Sequence, residues 1–74
     1  MITKDKLQSL LNEIEDSLEL AMFGPQGKGH YFLIRNKKQY EATMIYGHIA
    51  SDVSRDSLKT TLTKKIKEVY NDKL

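Results

Sequence analysis

The chain has 74 residues, no cysteine and a formal net charge of +2 at neutral pH. This length accommodates one domain, and the lack of cysteine excludes disulfides and thiolate metal sites. No apolar run is long enough to span a bilayer, and residues 1–22 lack the uninterrupted apolar core of a signal peptide. The sequence therefore predicts a cytoplasmic protein that does not contact membranes.

The charge is unevenly distributed along the chain. Residues 1–22 contain two lysines and five carboxylates, a net charge of −3, whereas the remainder contains ten basic and five acidic groups, a net charge of +5. We expect an acidic first element followed by a basic remainder.

The first predicted element is an amphipathic helix over about residues 4–22. Thr3 suits the N-cap, because its hydroxyl can accept a hydrogen bond from an N–H group of the first turn. Gly24 and Pro25 end this predicted helix, since glycine permits a left-handed cap and proline cannot continue a helix. Its apolar residues recur at spacings of three and four, which places them on one helix face. These residues are Leu7, Leu10, Leu11, Ile14, Leu18 and Ala21.

A loop and a β-hairpin are predicted next. Residues 24–29 contain three glycines and a proline, which predicts a loop. The hairpin covers about residues 30–47, with a tight turn near 36–39 that places Arg35 opposite Tyr40. Tyr31, Leu33, Arg35, Tyr40, Ala42 and Met44 then share one face, and His30, Phe32, Ile34, Glu41, Thr43 and Ile45 share the other. Neither face is plainly polar, so the sequence leaves open which face the helices cover.

A second helix is predicted over about residues 54–72. Ser51 or Ser54 can cap it, and Asp56 lies in the first turn, where the helix dipole favours an acid. Its apolar stripe consists of Leu58, Leu62, Ile66, Val69 and Tyr70.

These elements predict an α+β fold of order α-β-β-α, a single domain over residues 1–74 with two amphipathic helices packed on an antiparallel hairpin. A lone two-stranded sheet is marginal in water, and its two edges remain unpaired. This favours a homodimer with a continuous four-stranded sheet or back-to-back hairpins. A monomer that binds its target through the same surface would also cover the exposed apolar face and the unpaired strand edges.

No catalytic signature is present, and we predict neither enzymatic activity nor a cofactor or metal. Gly27, Lys28 and Gly29 are candidate phosphate-binding residues, but their spacing departs from a nucleotide-binding P-loop and they precede a strand. The two histidines, His30 and His48, point to opposite faces if the strand stays extended through Gly47, although Gly47 could break this alternation, and we do not expect them to share a metal ion.

Three functions remain open. The first is a protein-interaction module, and the second is a nucleic-acid-binding protein that uses the basic hairpin and second helix. The third is a binder of a phosphorylated or nucleotide ligand through the Gly-rich loop. The richness in Lys, Asn, Ile and Asp resembles that of low-GC bacteria and their phages, whose small proteins without catalytic motifs often modulate or inhibit host machinery. The predicted partner-binding residues on the hairpin face and tip are Tyr31, Arg35, Lys37, Lys38, Tyr40, Met44 and Tyr46.

Overall fold

The fold is α+β, as predicted, but the described residues form a sheet of three strands instead of two. A computed structural model describes residues 2–38 and 44–70. The strands form one antiparallel sheet of order β1-β2-β3. None of the helices in these two ranges is long and apolar enough to cross a membrane. The elements are α1 (Lys4–Ile14), β1 (Leu18–Gln26), β2 (Gly29–Asn36), β3 (Ile45–Ala50) and α2 (Arg55–Tyr70).

Helix α1 begins as predicted and ends eight residues earlier than predicted. The Thr3 side chain accepts a hydrogen bond from the Lys6 N–H at 3.2 Å, which confirms the N-cap. Glu15 is already extended, and its carboxylate accepts hydrogen bonds from the Ser17 N–H at 3.4 Å and the Ser17 hydroxyl at 3.3 Å. The Glu15 N–H donates to the Leu11 carbonyl at 2.9 Å, and the chain turns at residues 16–17 before β1. The predicted helix over residues 4–22 is therefore wrong beyond Ile14.

Strand β1 occupies the segment assigned to the end of the helix and to the start of the loop. The residues Gly24 and Pro25 lie inside β1, paired with Tyr31 and His30. The prediction of a loop over residues 24–29 is therefore wrong, because β1 and β2 join through a two-residue turn at positions 27–28. Gly27 has φ +59°, a conformation that such tight hairpin turns require and that glycine adopts readily.

The pairing of β2 with β3 differs from the predicted hairpin by four residues. Tyr31 pairs with His48, whereas the predicted register places it opposite Met44. This longer connection lets Ile45 and Ile49 both enter the core. The residues 39–43, including Tyr40 and therefore the predicted Arg35–Tyr40 pair, lie outside the described part of the chain. Because the shift is even, Ile45 and the residues of β2 from His30 to Arg35 keep their predicted faces.

The helices cover the sheet face that carries Phe32 and Ile34. Helix α2 is capped by Ser54, whose hydroxyl accepts from the Ser57 N–H at 3.2 Å, and the predicted end at residue 72 lies outside the described residues. Burial raises the pKa of the Tyr70 hydroxyl above its ordinary value. The buried apolar core comprises Leu7, Leu10, Leu11, Leu18, Leu20, Phe32, Ile34, Ile45, Ile49, Leu58, Leu62, Ile66 and Tyr70.

The side chain of Gln8 pairs with the outer edge of β1 in the way a neighbouring strand would. Its amide group donates to the Leu18 carbonyl at 3.2 Å, and its amide oxygen accepts from the Leu20 N–H at 2.8 Å. We expect Gln8→Ala to lower the free energy of unfolding by about 1–2 kcal/mol, since two part-buried backbone groups lose their partners. Urea unfolding followed by circular dichroism measures this loss. Ser9→Ala, an exposed change on the same helix, is the control, and an equal effect of both changes would contradict the role assigned to Gln8.

Candidate interaction surface

The sheet face opposite the helices, which we name the open face, is covered by neither helix. In its centre Leu33 pairs with Met22 on one side and with Tyr46 on the other. Met22 is 51% exposed and Tyr46 is 59% exposed. Alternation along the strands assigns to the open face Glu19, Met22, Tyr31, Leu33, Arg35, Tyr46 and His48.

Two tyrosines on neighbouring strands form the aromatic part of the open face. The rings of Tyr31 and Tyr46 are stacked, with centroids 6.5 Å apart and planes inclined by 23°. The Tyr31 ring also lies over Gly24, where an added Cβ would sit 2.8 Å from the ring. The side-chain amide of Gln26 donates to the Tyr46 hydroxyl at 3.5 Å. These packed rings, together with Met22, Leu33 and Gln26, line a shallow depression of about 290 Å³.

Polar groups border this apolar centre at both ends. At one end the Arg35 guanidinium donates to the Glu19 carboxylate, at 2.5 Å from Nη2 and 3.1 Å from Nε. At the other end His48 Nε2 lies 2.9 Å from the Gln26 carbonyl oxygen. Both members of the Arg35–Glu19 pair are about one third exposed, so the pair contributes little to stability. Its effect is to leave this end of the open face with balanced charge.

The structure places three of the seven predicted partner-binding residues together on the open face. Tyr31, Arg35 and Tyr46 lie on the open face, and Met44 is exposed just before β3. Lys37 and Lys38 are exposed at the end of β2, where the Lys38 ammonium lies 3.9 Å from the Glu15 carboxylate. Tyr40 lies outside the described residues.

Sequence reasoning missed Glu19 and Met22, because it placed both in the first helix. A signal was present, since Leu18, Glu19 and Leu20 alternate between apolar and polar as a half-buried strand does. The short Asp16-Ser17 turn before them supplied a second signal. His48 was considered only as a metal ligand.

The predicted phosphate-binding residues do not form an open loop. Gly27 and Lys28 are the exposed turn between β1 and β2, while Gly29 is buried within β2. A Cβ added to Gly29 would lie 1.9 Å from the Ile49 carbonyl oxygen, so this glycine is required by the close approach of β3. Its backbone position is thus explained by strand packing.

Neither histidine belongs to a metal-binding cluster in the described ranges. His30 lies on the helix-covered face, where its ring stacks on Phe23 with centroids 4.8 Å apart and planes inclined by 9°. His48 lies on the open face. Among residues 2–38 and 44–70, no three His, Cys, Asp or Glu side chains are close enough to hold a metal ion.

No protein-family model, curated protein or solved structure matches the chain.

Proposed function

We propose that the protein is a non-enzymatic interaction module that binds a protein partner through the open face. The observation that carries this proposal is the exposure of Met22 and Tyr46 beside Tyr31 and Leu33, on a sheet face that neither helix covers. Contiguous exposed apolar patches with a polar rim are typical of binding surfaces. Tyrosine, methionine and arginine are also the residue types enriched in protein interfaces.

The packing of Tyr31 supports binding. Tyr31 is held between Gly24 and Tyr46, so little side-chain freedom remains to be lost when a partner docks. Association is weakened by the ordering of mobile side chains, and a preformed surface reduces that cost. The protein would act by occupying a surface of its partner, as an inhibitor or modulator does, and no bond is made or broken.

The distribution of charge favours a protein partner over a nucleic acid. Two tyrosines on a sheet are able to stack on bases, but phosphate contacts also require cations beside them. Here Arg35 is paired with Glu19, and Lys28 lies in the turn at the opposite end of β2. The lysines of α2 belong to a helix packed on the other face of the sheet, so no continuous basic track borders the tyrosines within residues 2–38 and 44–70.

Met22→Glu is expected to weaken capture of the partner by about tenfold or more, because a carboxylate buried at an apolar contact loses its hydration. The measurement is quantitative co-purification with the tagged protein from the cells that produce it, with circular dichroism to confirm folding. Met22→Leu, which keeps the apolar surface, and Thr61→Glu, an exposed change on α2, are the matched controls.

Unchanged capture by Met22→Glu, or equal loss with Thr61→Glu, would overturn the proposal. Co-purified nucleic acid that is removed by salt would instead support the nucleic-acid alternative, because phosphate contacts release counterions. In that case Lys37→Glu with Lys38→Glu would reduce binding more than Met22→Glu does.

A further inference from the structure

The two outer edges of the sheet differ in how they are protected from further pairing. On β1 the Gln8 side chain forms hydrogen bonds with the Leu18 C=O and the Leu20 N–H. The register also shifts by one residue just after Leu20. Pro25, further along the same edge, has no N–H to offer. Side-chain cover, bulges and edge prolines are the devices by which proteins prevent unwanted strand addition.

Among the residues that the structure describes, none protects the outer edge of β3 in this way at Tyr46 or His48. The Lys37 N–H donates to the Ser17 carbonyl, so the backbone groups of the odd-numbered residues of β2 point toward β1 and those of the even-numbered residues point toward β3. The same alternation of backbone direction continues in β3. It directs the backbone N–H and C=O groups of Tyr46 and His48 away from β2. No described strand pairs with that edge, and neither residue forms a backbone hydrogen bond there within residues 2–38 and 44–70.

The composition of β3 identifies what can pair with it. Its six residues, Ile45–Ala50, carry no formal charge, whereas β1 contains Glu19 and β2 contains Arg35. Exposed edge strands commonly carry lysine or proline as protection against pairing. An uncharged strand meets no repulsion from a second copy of itself, and Gly47 at its centre permits close approach of two backbones.

We propose that β3 pairs antiparallel with β3 of a second copy, about a two-fold axis at Gly47. In this register Tyr46 lies opposite the partner's His48, and the backbone groups that point outward from both residues meet. Ile45 then lies opposite the partner's Ile49 on the core face. The two three-stranded sheets become continuous, and both open faces lie on the same side of the combined sheet.

Paired charge variants at positions 46 and 48 test both the dimer and its register. Wild-type protein is expected to have the mass of a dimer by light scattering. Tyr46→Glu with His48→Glu places carboxylates opposite each other at both paired positions and should weaken dimerisation by about tenfold or more. Tyr46→Glu with His48→Lys places opposite charges there and should restore the dimer.

A second pair of variants tests the backbone hydrogen bonds. His48→Pro removes an N–H that points away from β2 and should yield a folded monomer, whereas His48→Ala keeps the N–H and should remain a dimer. A monomeric wild type, a dimer that persists with two glutamates, or a Glu/Lys variant that stays monomeric would each overturn the proposal. Light scattering of the purified protein measures self-association in the absence of any partner, so this result is distinguishable from partner capture even though Tyr46 and His48 also lie on the open face.

Discussion

Gly29→Ala is expected to lower the free energy of unfolding by about 3 kcal/mol or more. The added Cβ would lie 1.9 Å from the Ile49 carbonyl oxygen and 3.0 Å from the His48 ring. The first of these atoms belongs to the backbone of β3, so no side-chain rotation relieves the contact. The two strands would have to separate at the end of the sheet where the open face meets the β1–β2 turn.

The matched control for Gly29 is its neighbour in the turn. Gly27 has φ +59° and no atom within 4 Å of an added Cβ. Gly27→Asn should therefore cost less than about 1 kcal/mol, because asparagine tolerates left-handed backbone angles. Urea unfolding followed by circular dichroism compares the two variants. Similar losses at both positions would contradict the close approach of Gly29 to β3.

Ile34→Ala is expected to lower the free energy of unfolding by about 2–5 kcal/mol, the range for large-to-small changes in a core. Ile34 is fully buried beneath the helices, whereas its neighbour Leu33 lies on the open face and is only partly buried. Leu33→Ala should cost about 1 kcal/mol, because it removes less area from contact with other protein atoms. The same unfolding measurement compares the two variants.

The difference in stability loss between Ile34→Ala and Leu33→Ala tests which face of the sheet forms the core. Equal losses, or a larger loss at Leu33, would mean that the helices cover the face assigned to binding. Leu33→Ala has a second expected effect, since it removes an apolar group from the depression beside Tyr46 and should weaken partner capture.

Helix α2 and the face assignment of β2 were predictable because each depends on a local pattern. Leu58, Leu62 and Ile66 recur at helical spacing, and all three are buried as that spacing requires. The alternation of Phe32 and Ile34 with their neighbours likewise places both on one face, and both are buried. Periodicity along a single element is enough for these conclusions.

The end of α1 and the existence of β1 were not predictable from periodicity alone. Leu18 fits the spacing of the helix and also the alternation of a strand, so its position supports both interpretations. Gly24 and Pro25 suit the end of a helix, but they also suit an edge strand covered by the Tyr31 ring. The strand is favoured over the helix by the hydrogen bond from Leu20 to Gln8 and by the pairing of β1 with β2. Neither contact is visible in the local sequence pattern.

The candidate site was predictable only where it lies on the predicted hairpin. Tyr31 and Tyr46 were both predicted as partner-binding residues, and both lie on the open face because an even shift in register preserves the alternation of side chains. The position of Met22 on the open face could not be predicted in this way, because it depends on strand β1 and on the one-residue register shift after Leu20. The β1 side of the open face was therefore not predicted from the sequence.

Site-specific photo-crosslinking tests most directly whether the open face binds a protein. A benzophenone side chain replaces Met22 in one variant and the exposed Thr61 of α2 in another, and both are irradiated in the cells that produce the protein. We predict one discrete adduct with a second protein from position 22, absent from position 61 and lost when Tyr46→Glu is added. No adduct from position 22, or the same adducts from both positions, would contradict the assignment of the open face as the binding surface.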